Sequence, residues 1–209
     1  MCSSDLPYLG AVRALNGGAN FSAAALRWYP GSPRLVRSLM RRQDKLTLLE
    51  LHPEDAASLS ELFARDRQVT VRQADGYIGL KALLPPPERR GVVLIDPPFE
   101  DKDEAAQLVR GMSHALRRFA TGTYLIWYPI KDRPPVDALH EGLKATGVRR
   151  QLIAELWINQ PLSPMLLNGS GLVIINPPFK LENWLGEALS AMARAFDAND
   201  HKVAWLVPE

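Results

Sequence analysis

From Leu46 to the end of the chain, short apolar runs alternate with stretches of helical periodicity, a pattern that few architectures accept. "LTLLEL" is followed by Pro53, suited to a first helical turn, with Glu54 and Asp55 near the positive end. Leu59, Leu62 and Phe63 give that helix an apolar face. "VTVRQADG" and a short helix to Leu84 come next, then "VVLID", which reads as a strand buried on both faces. A helix over 103–119, the strand "TYLIWYPI", a helix near 136–145, a helix over 181–196 and the strand "KVAWLV" continue the series. Strands alternating with helices predict a mostly parallel sheet with helices on both faces. Segments 151–158 and 172–176 are the exception. Their link, rich in Pro, Ser, Asn and Gly, is too short for a helical crossover, so one strand runs antiparallel.

Before Leu46 the pattern changes. "YLGAVRAL" and "SPRLVRSLMRRQ" read as two helices with no strand between them, the second with Ser32 as N-cap and Pro33 in its first turn. Residues 7–45 are therefore expected to form a small helical insertion beside a domain over 46–209, and "NGGAN" (16–20) reads as a linker. Residues 1–6, "MCSSDL", lead into no element and read as non-native. The lone Cys2 excludes an internal disulfide framework and fits a reducing compartment. Four histidines and one cysteine show no metal-ligand spacing, and no apolar run approaches a membrane span. A net charge of +2 does not by itself announce a nucleic-acid partner.

Ligands of open parallel sheets bind at the carboxyl ends of the strands, and three successive strands end in acids: Glu50, Asp75 and Asp96. Glu50 suits a ribose diol. Asp75, beside the small Gly76, suits an adenine amine approached closely by backbone. Each alone reads equally well as a solvated loop acid or a helix cap. The third sits in "LIDPPFE". An adenine exocyclic amine is a poor nucleophile because its lone pair is delocalised. Asp96 offers a carboxylate and Pro97 a backbone carbonyl to its two N–H groups, an arrangement that stabilises charge developing as the nitrogen becomes tetrahedral. The prolines fix φ and aim that carbonyl, and Phe99 offers a face to an extruded base. A rigid loop with Phe99 as packing is the plainer reading. "VIINPPFK" repeats the motif with Asn176, but on the strand expected to run antiparallel, which sends Asn176 to the opposite edge of the sheet and favours Asp96. His52 reads as a loop residue, and Arg34, Arg37, Arg41, Arg42 and Lys45 form a basic cluster suited either to solvation or to tracking phosphates.

The order "YPGSP", "LLELHP", "ADG", "LIDPPFE", "RFATGTYLIWYP", "SGLVIINPP" and "WLVPE" resembles the RlmJ-type adenine-N6 methyltransferases of 23S ribosomal RNA, from about Trp28 to Glu209. The resemblance implies an α/β, class I (Rossmann-like) S-adenosylmethionine-dependent methyltransferase with one antiparallel strand and a small helical insertion. It implies cofactor contacts from Ser32, Glu50, Asp75, Gly76 and Asp96, with Asp96 as the active-site acid. Pro97, Pro98 and Phe99 would form the adenine pocket. It further implies 23S ribosomal RNA as partner, a monomer, and a cytoplasmic location without metal or membrane. The family's first strand and its glycine loop find no match here, so the sheet is expected to lack that strand, leaving unpaired strand edges, weak cofactor binding and little or no activity of the chain as given. A DNA adenine-N6 methyltransferase, a protein-glutamine methyltransferase and an inactive RNA-binding module are the alternatives, since Asp/Asn-Pro-Pro-aromatic loops serve several amine substrates.

Overall fold

The computed structural model describes residues 7–18, 26–101, 103–159 and 165–209, so the non-native reading of 1–6 and the end of the 16–20 linker lie outside it. The chain divides into two compact units, residues 1–75 and 76–209.

The first unit holds helices α1 (Pro7–Leu15) and α2 (Ser32–Leu39), strand β1 (Leu46–Glu50), helix α3 (Pro53–Leu62) and strand β2 (Val69–Gln73). β1 and β2 pair in parallel, Leu46 opposite Val69 and Glu50 opposite Gln73. Helix α3 makes that crossover possible and buries Ala56, its C-cap residue Phe63 is buried too, and Leu62 is exposed and does not share its apolar face. The N-cap of α2 is Gly31, in extended conformation, not Ser32. Ser32 and Pro33 open the helix instead, and no side chain caps it. Arg37 turns from α2 to form an ion pair with Asp66 and donates to Gln68 Oε1 at 3.0 Å. Gln68 in turn donates to the carbonyls of Arg41 (2.7 Å) and Asp44 (2.8 Å), tying the end of α2 to the approach to β2.

The second unit holds α4 (Gly76–Ala82), β3 (Val92–Ile95), α5 (Glu104–Arg118), β4 (Thr123–Ile130), α6 (Arg133–Lys144), β5 (Gln151–Trp157), β6 (Gly169–Ile175), α7 (Leu181–Phe196) and β7 (Asp200–Val207). Its five-stranded sheet has the order β3-β4-β6-β5-β7. β3 and β4 pair in parallel; β6 lies antiparallel between β4 and β5, and β7 pairs antiparallel with β5. Two strands, β6 and β7, thus oppose the direction of β3, β4 and β5, where the sequence predicts one, so three of the four pairings in this sheet are antiparallel and the expected mostly parallel sheet is corrected to a mostly antiparallel one. β3 is an edge strand of this sheet, and Val92 and Leu94 are exposed rather than buried on both faces. Among the described residues, β1 likewise has a single strand neighbour.

Helices α5 and α6 cover one sheet face. Leu108 and Met112 from α5, Leu139 and Leu143 from α6, and Tyr124, Ile126, Tyr128 and Ile130 from alternate positions of β4 are buried in one cluster. Each such side chain contributes roughly 1.5–3 kcal/mol of burial. A smaller cluster, with Leu152, Ala154, Ile174 and Leu189, joins the other face to α7. This core holds β3, β4 and their connecting loops in place.

Candidate active site

The Asp-Pro-Pro-Phe loop begins where β3 stops, because proline cannot donate to a ladder. Ile95, opposite Ile126, is the last paired residue, so Asp96 stands at the carboxyl end of the parallel pair. Among the described residues, no hydrogen bond or ion pair engages the Asp96 carboxylate, and none reaches the Pro97 carbonyl. The Asp96 side chain is solvent-exposed, yet the neighbouring protein desolvates it enough to raise its pKa above the ordinary carboxylate value. Pro97 is buried and anchors the loop. Phe99 adopts φ +53°, a left-handed conformation rare for a bulky residue. Such conformations persist where the surroundings over-determine them, and they cluster at functional sites. Phe99 is half-buried, and Trp127 of β4 meets its ring edge-on at 6.2 Å between centroids and 63° between planes. That contact fixes the ring while leaving part of it accessible.

Two supports were not legible from the motif alone. Trp127 lies at an alternating β4 position that reads as ordinary strand. Glu104, the buried first residue of α5, accepts a 2.6 Å hydrogen bond from the Tyr77 hydroxyl, tying the start of α4 to the helix that follows the loop. No spacing rule links positions 77 and 104.

Asn176 ends β6, and Ile175 pairs with Tyr124 at the amino end of β4. The two Pro-Pro-Phe loops therefore occupy opposite ends of the sheet, as strand direction predicts. In the second copy the side-chain amide nitrogen and the first proline carbonyl are both engaged within the fold. Asn176 Nδ2 donates to the carbonyls of Ala120 and Gly122, both at 2.8 Å, and the Pro177 carbonyl accepts from Arg150 Nη2 at 3.2 Å. Phe179 is 84% exposed, with the Lys180 ammonium over its ring.

In the first unit, Glu50 and Asp75 come to neighbouring strand ends. The Ala74 N–H donates to the Glu50 carbonyl at 3.0 Å, one residue before Asp75. Glu50 Oε1 accepts from the His52 N–H at 2.9 Å, which leaves Oε2 for another donor. His52 is the N-cap residue of α3 and pairs at 3.6 Å with Asp55 on the surface, as a loop residue should. Ser32 is exposed, its hydroxyl released from the capping role that the sequence suggests. A Cβ placed on Gly76 would meet nothing within 4 Å, so the backbone there is open to close approach. Three expected cofactor residues, Ser32, Glu50 and Asp75, thus belong to the first unit, while Gly76 and Asp96 belong to the second.

An α/β sheet whose parallel strands are closed by an antiparallel strand inserted between two of them is the class I methyltransferase architecture, and the acid-Pro-Pro-Phe loop at a strand's carboxyl end suits that class. Residues 4–207 match the protein-family model described as ribosomal RNA large subunit methyltransferase D, RlmJ. The chain belongs to this family. It is 40% identical over 214 residues to the ribosomal RNA large subunit methyltransferase J of Haemophilus influenzae, covering 99% of this chain and 75% of that protein. It is likewise 40% identical over 214 residues to the protein of that name from Escherichia coli, covering 98% of this chain and 74% of its relative. A crystal structure of a Legionella pneumophila protein superposes with a TM-score of 0.85 at 31% identity, covering 95% of this chain and 72% of that one.

Proposed function

We propose that this chain transfers a methyl group from S-adenosylmethionine to the N6 amine of an adenine in 23S ribosomal RNA. The observation that carries the reading is the contrast between the two loops. Asp96 and Pro97 leave both acceptors unengaged by the described residues, while in the second loop the Asn176 amide is tied into the fold by the two bonds its Nδ2 donates, and the Pro177 carbonyl accepts from Arg150. Bound S-adenosylmethionine supplies an electrophilic methyl on a sulfonium. Glu50 Oε2 and Asp75 suit the nucleoside hydroxyls and amine, Gly76 admits the ring, and Ser32 offers a free hydroxyl.

Asp96 and the Pro97 carbonyl accept the two N6–H bonds and localise the lone pair on nitrogen. As the N–CH3 bond forms and the C–S bond breaks, positive charge grows on N6, where the carboxylate stabilises it. The pKa of Asp96, raised by desolvation, makes it a better proton acceptor for the N6 proton then released. Pro98 and Phe99 wall the adenine.

The test is single-turnover transfer of labelled methyl at saturating cofactor, offering ribosomal RNA, DNA of matching sequence, and protein. Label should appear in RNA as N6-methyladenosine, and Asp96→Ala should abolish transfer while retaining RNA binding. Label entering only DNA or protein would reject the substrate assignment. An active Asp96→Ala variant would reject the mechanism. The same reading places the protein in the cytoplasm as a monomer. Among the described residues, no helix is long and apolar enough to cross a membrane.

A further inference from the structure

We infer that Trp28 and Tyr29 form a stacking platform for unpaired bases of the RNA substrate, flanked by arginines that follow its backbone; this rests on the RNA reading above. Both rings are large, apolar and exposed, Trp28 by 65% and Tyr29 by 71%. They sit on a segment without regular secondary structure, yet that segment is firmly held. Asn16, just past the end of α1, uses its whole hydrogen-bonding capacity there. Its Nδ2 donates to the carbonyls of Val12 and Trp28, both at 2.8 Å, and its Oδ1 accepts from the N–H groups of Arg27 (2.8 Å) and Trp28 (2.9 Å). Tyr8 of α1 meets the Tyr29 ring edge-on at 5.9 Å, and Pro30 is buried immediately after. The fold thus fixes the backbone while leaving the rings outside. The indole therefore has little backbone ordering entropy left to lose on binding.

Charge selects the partner. Residues 7–45 hold seven basic residues against one acid, Asp44, while the rest of the chain carries more acids than bases. Arg27, Arg34, Arg41 and Arg42 are exposed, and among the described residues only Arg37 of this set is ion-paired. Exposed aromatics amid unpaired arginines are the means by which single-stranded nucleic acid is held: bases stack, and cations follow the phosphates. A second copy would set two like-charged faces against each other.

The experiment titrates the full chain with a labelled single-stranded RNA and with a fully paired duplex, at several salt concentrations. Trp28→Ala should weaken single-strand binding about tenfold, the loss of one stacked base, without changing the salt dependence. Trp28→Phe should restore most of it. Arg41→Ala with Arg42→Ala should lower the slope of log affinity against log salt by roughly 1.4, about 0.7 for each lost contact with a single strand. The inference is overturned if Trp28→Ala binds as the parent does, or weakens strand and duplex equally. A changed oligomeric state or weaker cofactor binding at unchanged RNA affinity overturns it too. Failure of the parent chain to bind any RNA would instead defeat the functional reading.

Discussion

Replacing Asn176 by alanine separates the two loops by stability rather than by chemistry. The change removes both Nδ2 hydrogen bonds to the carbonyls of Ala120 and Gly122. A net hydrogen bond contributes roughly 0.5–1.5 kcal/mol, but Asn176 is half-exposed and water can reach one of the carbonyls, so about 1 kcal/mol is lost for the pair. Asn176 also holds φ +54°, where asparagine is tolerated and alanine costs about 1 kcal/mol more. The sum, about 2 kcal/mol, corresponds to a fall in Tm of roughly 4–8 °C for a chain of this size. Asn176→Gly keeps the backbone freedom and should lose about half as much. Asn176→Asp should be worse than alanine, because it points a carboxylate at two carbonyl oxygens. Thermal unfolding measures all three, and methyl transfer is assayed well below each Tm. The expected result is lower stability with transfer per folded molecule unchanged. Transfer lost from Asn176→Ala at unaltered Tm would refute the assignment of chemistry to Asp96.

Asp96→Asn should raise Tm at neutral pH while removing transfer. The native carboxyl pKa is raised, so the native state favours the neutral acid; the cost of Asp96 is present above its folded pKa and absent below the unfolded one, and the gain in Tm should vanish as pH falls through that window. His140, packed against Tyr128 and donating from Nε2 to its hydroxyl oxygen at 3.0 Å, has its pKa lowered by burial. The unfolded state therefore takes up the proton first, and denaturant titrations should show stability lost as pH falls below about 6.5, a slope that His140→Gln flattens. Gly171→Ala would place a Cβ 2.2 Å from Tyr128 Cζ and should cost at least 1–3 kcal/mol, roughly, whereas Gly186→Ala in α7 meets nothing within 4 Å and should add about 0.5–1 kcal/mol; chemical denaturation distinguishes the two signs.

The sequence reveals the elements that carry their own punctuation. β3 announces its end because Pro97 and Pro98 cannot extend a ladder, and the direction of β6 follows from a link too short to hold a helix. The direction of β7 was hidden, because a strand after helix α7 reads alike whether it returns parallel or antiparallel. Gly31 and Ser32 are both good caps, and proline suits either of the first two helical positions, so the cap slipped by one residue. Among the basic residues of the helical segment, spacing does not tell which arginine meets Asp66, 29 residues away from Arg37. Asn16 precedes two glycines and reads as linker, while its four partners come from a turn of helix and a distant strand of chain. Glu155 is the one charged residue of β5. In the fold it is buried, accepting from the Tyr128 hydroxyl at 2.9 Å and paired with Arg133 at 3.1 Å, because those partners arrive from β4 and α6.

Local sequence assigns nearly the same loop to both ends of the sheet, so the motif alone cannot assign function. Direction is the first discriminator. β3 delivers its loop to the carboxyl edge of the parallel strands, where backbone ends diverge and leave space for a ligand, and β6 delivers its loop to the edge where β4 begins. Satisfaction is the second. A buried or half-buried polar group that already holds its partners must lose them before it can grip a substrate, and that loss raises the barrier it was meant to lower. Turning the Asn176 amide toward a substrate would release Ala120 and Gly122, and redirecting the Pro177 carbonyl would release Arg150, unseating the start of β4 and the approach to β5. Asp96 and Pro97 have no such bonds to break among the described residues. The second loop is thus a strand terminus built from the same residues, and the unengaged acceptors of the first support its proposed role as the site.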